Sequence, residues 1–149
     1  MNRSLGILAV AATVLAAGSC GSPSGAPPPD NPAIAGTWIA TSAKYVSVAD
    51  PNKSVDLVAQ GSTVTLVMDE TAFNLSIQTP GQNPTVYVGT WAQTYNGIEL
   101  TPQGATSPWV FTAATLGYQT LSLGGAHVTH DFGSGPEDAI FSLELYAQP

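Results

Sequence analysis

A chain of 149 residues with 44% hydrophobic and only 9% charged side chains has room for one domain around one core. Three basic residues against ten acidic ones exclude nucleic acid as a partner, and they exclude a Lys/Arg patch that would grip anionic lipid head groups. A single cysteine excludes an intramolecular disulfide, so stability has to come from burial.

Residues 1–19 read as a secretory signal peptide. Arg3 supplies one positive charge, and Leu5 to Ala17 is an uninterrupted uncharged run of Leu, Ile, Val, Ala, Gly and Thr. That run is shorter than the ~20 residues a membrane-spanning helix needs. The small residues Ala17, Gly18 and Ser19 then lead into Cys20. This stretch resembles the lipobox of bacterial lipoproteins, with Ala17 standing where a larger aliphatic residue is usual. The resemblance implies an acylated N-terminal Cys20, a membrane anchor through it, and a place in the cell envelope. Gly21 rather than Asp after Cys20 points to the outer membrane, under the sorting rule of the better-known lipoproteins. The alternative is plain secretion with cleavage near Ala17 or Ser19 and a free thiol. Residues 20–35 form a Pro/Gly/Ser-rich linker including Pro27–Pro28–Pro29, too polar and proline-dense to fold and suited to an extended spacer. Removal of the signal leaves Lys44 and Lys53 as the basic residues of the mature chain.

From residue 36 to 147 apolar and polar residues alternate with period two, and turn residues recur at short spacing, so this domain is all-β. The predicted strands are Thr37–Val46, Ser62–Met68, Ala72–Thr79, Thr85–Tyr95, Ile98–Thr101, Trp109–Thr115, Gln119–Val128 and Ala139–Tyr146. Asn96–Gly97 is the strongest hairpin signal, since both residues tolerate the positive φ of a type I′ turn. Successive hairpins predict an antiparallel meander, and eight strands can close into a small up-and-down barrel that leaves no edge to aggregate. A two-sheet sandwich would show the same alternation, but nothing in the chain suggests a long Greek-key crossover. The expected inward residues are Trp38, Val64, Leu66, Met68, Phe73, Leu75, Ile77, Trp91, Ile98, Leu100, Trp109, Phe111, Leu121, Leu123, Phe141, Leu143 and Leu145.

Gly36–Thr37–Trp38 opens the first long strand, as the Gly-x-Trp element does in lipocalins, and the meander after it resembles bacterial lipocalin-like lipoproteins. The mature chain has no arginine to pack over this tryptophan. The resemblance therefore implies a lipocalin-like barrel rather than a classical lipocalin, with Trp38 closing its bottom. The triplet recurs at Gly89–Thr90–Trp91, where the glycine suits a bulge or a close backbone approach.

An eight-stranded barrel can be filled by its own side chains or can hold one small ligand. The inward candidates are mostly bulky, which favours filling. If an apolar pocket exists, Tyr87, Trp91, Trp109, Phe111 and Tyr118 are the aromatics expected at its mouth. His127 and His130 would share a metal only if a strand ended between them, because i and i+3 on a strand face opposite sides. Asp131, Glu137 and Asp138 crowd one Gly-rich turn without EF-hand spacing, so a solvated acidic turn is the expectation and no metal or cofactor is assigned. No nucleophile elbow, His-Glu-x-x-His or phosphate loop is present. The sequence therefore predicts a non-catalytic, monomeric envelope protein that binds a small hydrophobic molecule. The alternative is a filled barrel serving as a structural or protein-interaction domain.

Overall fold

Period-two alternation fixes which face of each strand is buried, and ten strands follow it in the computed structural model, which describes residues 34–149 except Asn96 and Tyr118. The signal segment, Cys20 and the linker up to residue 33 lie outside the described residues. The elements are β1 (Gly36–Ser47), β2 (Ser54–Asp56), β3 (Thr63–Met68), β4 (Ala72–Gln78), β5 (Thr85–Gln93), β6 (Ile98–Pro102), β7 (Trp109–Phe111), β8 (Ala113–Gly117), β9 (Thr120–Asp131) and β10 (Pro136–Ala147). All belong to one antiparallel sheet in the order β7-β6-β5-β4-β3-β1-β10-β9-β8, with β2 attached to β1. The sheet curls around a core on its concave face. One sheet, not the two of a sandwich, encloses that core.

Register follows burial. Val64, Leu66 and Met68 of β3 stand opposite Ile77, Leu75 and Phe73 of β4, and all six are buried. Leu121 and Leu123 of β9 likewise oppose Leu145 and Leu143 of β10. Of the expected inward residues only Trp91 and Trp109 are partly exposed; the others are buried. Two bulges change the phase. The β1–β10 register shifts between Ala40 and Ser42, so Trp38 and Ala40 face inward before it and Ala43, Tyr45 and Ser47 after it. At Gly124–Gly125, with Gly125 at φ 87°, β9 shifts from Leu121 and Leu123 to Ala126, Val128 and His130.

The expected strand Trp109–Thr115 is divided. β7 pairs with β6, β8 pairs with β9, and Thr112 alone separates them. Among the described residues no ladder joins β7 to β9, so a regular closed eight-stranded barrel is not what the hydrogen bonds show. The physical reason is crowding relieved by glycine. A Cβ on Gly97 would run into the Phe111 carbonyl, and one on Gly125 would stand 2.5 Å from Thr112 Oγ1. The chain passes between these two glycines as it changes partner. Two further differences are the short β2, which the sequence did not announce, and longer β9 and β10 strands, which reduce the expected turn from Asp131 to Asp138 to residues 132–135.

The two Gly-Thr-Trp triplets do different work. Trp38 is buried, and its indole N–H donates to the Ile34 carbonyl at 2.9 Å. Trp91 is half-exposed and donates to the Asp69 carbonyl at 2.8 Å. Gly89 is needed because a Cβ there would strike the Thr101 carbonyl and the Phe73 ring. Gly89→Ala and Gly97→Ala should each lower the unfolding free energy by about 1–3 kcal/mol or prevent folding, as overpacking does. Ser76→Ala, on the outer face of β4, should stay within about 0.5 kcal/mol, and urea titration of the three variants measures each change.

Candidate functional site

The curled sheet has two ends. The Trp38 end gathers the start of β1, the β3–β4, β5–β6 and β8–β9 turns and the end of β10; the other end gathers Ser47, β2, the β9–β10 turn and the start of β7. The bulges in β1 and β9 bring Tyr45 and His130 onto the inner face near the second end. There Tyr45 is stacked between Phe141, at 4.4 Å between ring centroids, and His130, at 4.0 Å. Phe132 meets His130 edge-on at 4.7 Å. Lys53 lies 5.1 Å from the Phe132 centroid, donates to Ser134 Oγ at 3.0 Å and pairs with Glu137 Oε1 at 2.5 Å. Toward the sheet's other margin, Trp109 meets Phe141 at 6.3 Å and Tyr87 at 4.9 Å, and Phe111 lies 6.1 Å from Phe141.

Three of the five aromatics expected at a pocket mouth, Tyr87, Trp109 and Phe111, are therefore brought together around Phe141. Phe111 and Phe141 have no exposed surface at all. Trp91 sits at the opposite end over the β3–β4 turn. Tyr118 lies outside the described residues. Contacts of this edge-on and stacked kind contribute about 0.5–1.5 kcal/mol each beyond area burial. Sequence reasoning weighed His130 only as a metal ligand and did not bring it together with Tyr45, Phe132 and Lys53. The Gly124–Gly125 pair was the readable sign that β9 changes phase and turns His130 inward. The β1 bulge has no glycine, and nothing in the sequence marked it.

Burial and local hydrogen bonds set the electrostatics. Burial, reinforced by the nearby Tyr87, pushes the Tyr45 phenol far above its ordinary value. Burial lowers the His130 imidazole from 6.5, with Asp131 and Glu137 opposing the shift. Backbone N–H donors from Gly133 and Gly135, at 2.7 and 3.0 Å, hold the Asp131 carboxyl below its usual range. Asp56 ends below its usual range although desolvation works the other way. It accepts from the Ser42 hydroxyl and from the backbone N–H groups of Ala43, Ala59 and Val58, which fixes β2 against the β1 bulge. β9 runs through Asp131, so His127 faces outward, 3.4 Å from Asp138, while His130 faces inward. The two histidines cannot share an ion. Among the described residues no group of three or more metal-ligating side chains converges.

The open space lies at the Trp38 end. A depression of about 340 Å³ separates the β5–β6 turn from β8, lined among others by Ile34, Tyr95, Ile98, Ala114, Leu116 and Leu121. It marks the seam left where β8 has turned from β6 toward β9. Leu116 shows the effect: it pairs with buried Leu121, yet 37% of it is exposed because no strand covers that side. A neighbouring depression of about 390 Å³ includes Gly36, Leu116, Ala147 and Gln148. No protein family, curated protein or solved structure matches the chain, so its own geometry carries the functional reading.

Because His130 is harder to protonate in the fold than in the unfolded chain, its contribution to stability is complete above pH 6.5 and is lost as pH falls below that value. The melting temperature should therefore fall between pH 7 and 5, and His130→Gln should flatten that slope while lowering the baseline through the lost Tyr45 stack. An unchanged slope in thermal melts would remove His130 as its source.

Proposed function

We propose that the chain is an exported lipoprotein of the cell envelope, acylated at Cys20 and tethered by its Pro-rich linker. The tether carries a lipocalin-like barrel of eight strands, without catalytic activity, that works as an interaction domain through its surface. With the short β2 set aside, counting β7 and β8 as one strand that changes partner at Thr112 gives eight strands, which supports the barrel reading. The observation that favours a filled interior is the cluster around Phe141: the aromatics a ligand would need are engaged with one another, and Leu66, Leu75, Leu100, Leu123 and Leu143 are buried completely beside them.

A second reading, a carrier of a small hydrophobic molecule, is favoured by the seam beside Leu116. Its 340 Å³ reaches the lower end of the range for small-molecule sites, and buried Ile98 and Leu121 lie at its floor. Gln93 and Thr94 on its wall would orient a polar head.

A lipid-soluble fluorophore titrated into the protein, with Trp38, Trp91 and Trp109 as reporters, separates the two. The filled barrel gives a flat titration. Phe141→Ala then loses about 3–5 kcal/mol of stability and gains binding in the void it leaves. Saturable binding by the unmodified protein, abolished by Leu116→Asp, would install the carrier reading instead. Mass spectrometry of the protein extracted from membranes should find acyl chains on Cys20 as the first residue; a mature N-terminus elsewhere would end the lipoprotein reading.

A further inference from the structure

We infer that the Trp38 end of the domain lies against a lipid surface, along the arc that runs from Tyr95 through Leu116 to Tyr146. The inference rests on the proposed anchor at Cys20 and adds an orientation to it.

Among the described residues, the exposed Val48, Val86, Val88 and Val110 lie away from this rim; on it, Val67 stands beside the acidic β3–β4 turn, and three exposed side chains share the other arc. Tyr95, at the β5–β6 turn, is fully exposed, and Leu116 and Tyr146 are 37% and 44% exposed. They form a connected path. Tyr95 and Leu116 flank the same seam, and Tyr146 pairs with Thr120, which pairs with Gly117 next to Leu116. Tyrosine suits such a place, because its ring is apolar and its hydroxyl stays in water, which is why it collects at membrane interfaces.

The tether leaves from the same rim. Ile34 is buried, held by the Trp38 indole N–H, and lines the seam. Residues 21–33, extended, reach about 40 Å at ~3.1 Å per residue, so the tether alone allows any orientation. What it supplies is local concentration. A contact too weak to bind a free protein to lipid suffices once the domain is confined near the surface.

Charge sets the tilt. At this end Asp69 and Glu70 stand at the tip of the β3–β4 turn, whereas Glu144, the acidic residue of β10 beside the arc, lies two residues inward of Tyr146 and accepts from the Ser122 hydroxyl. The seam side therefore turns down and the β3–β4 turn stays in water. Lys53 is at the far end, and Lys44 lies mid-strand on β1. No cation on the arc assists, so the contact is apolar and insensitive to salt.

The test uses the acylated chain in vesicles of brominated phosphatidylcholine. Tyr95→Trp should add emission that the bromine quenches, and Val48→Trp, at the opposite end, should add emission that is quenched several-fold less. The difference should persist from low to high salt and shrink when Leu116→Ser and Tyr146→Ser are added to Tyr95→Trp. Equal quenching at positions 95 and 48 overturns the inference, even if the double serine variant fails to fold. If extracted protein carries no acyl chain, the anchor reading fails separately. Coupling a maleimide lipid to Cys20 of the same variants still decides which rim meets the bilayer.

Discussion

The fold depends on one steric arrangement: the passage of Thr112 between Gly97 and Gly125. A sheet that curls this tightly leaves its first and last strands short of a common neighbour. The segment from Trp109 to Gly117 meets that demand by pairing with β6 for its first part and β9 for its second. The change of partner brings the Phe111 carbonyl and the Thr112 side chain to within van der Waals distance of the two neighbouring strands. Only residues without a Cβ fit there. Both the aromatic centre and the open seam follow from this crossing. β7 carries Trp109 and Phe111 onto Phe141, and β8 leaves Leu116 partly uncovered.

Large and small residues share the interior accordingly. Phe141 stands opposite Ala126, Ala43 lies opposite Leu143, and Tyr45 fits between Phe141 and His130. Alternation of this kind lets rings stack without leaving space that a ligand could occupy. The proposed interaction role therefore falls to the rims rather than to the interior. One rim is polar, with Lys53, Glu137 and Asp131 ordering the β9–β10 turn; the other carries the seam, Tyr95 and Ile34.

Much of this was legible in the sequence, for reasons that individual residues make plain. Val64, Leu66, Met68, Phe73, Leu75 and Ile77 alternate without interruption, and their burial follows from the two-residue period alone. Trp38 was readable as a core residue from its place in the first strand. Where a bulge intervenes, the period breaks and the reading goes out of phase. His130 was expected beyond the end of its strand and lies within it, and Tyr45 was not among the expected inward residues. Five aromatics were expected together at one pocket mouth, but Phe111 is sealed in the core and Trp91 belongs to the opposite end from Trp109.

Strand class, antiparallel order, the charge balance and most of the core were determined by the sequence itself, because periodicity and turn chemistry act over a few residues. The division of one strand at Thr112, the pairing of β2 with β1, the stacking of Tyr45 on His130 and the seam beside Leu116 were decided by the tertiary structure. Each depends on residues far apart in the chain meeting where backbone crowding permits it, and no local pattern encodes that distance.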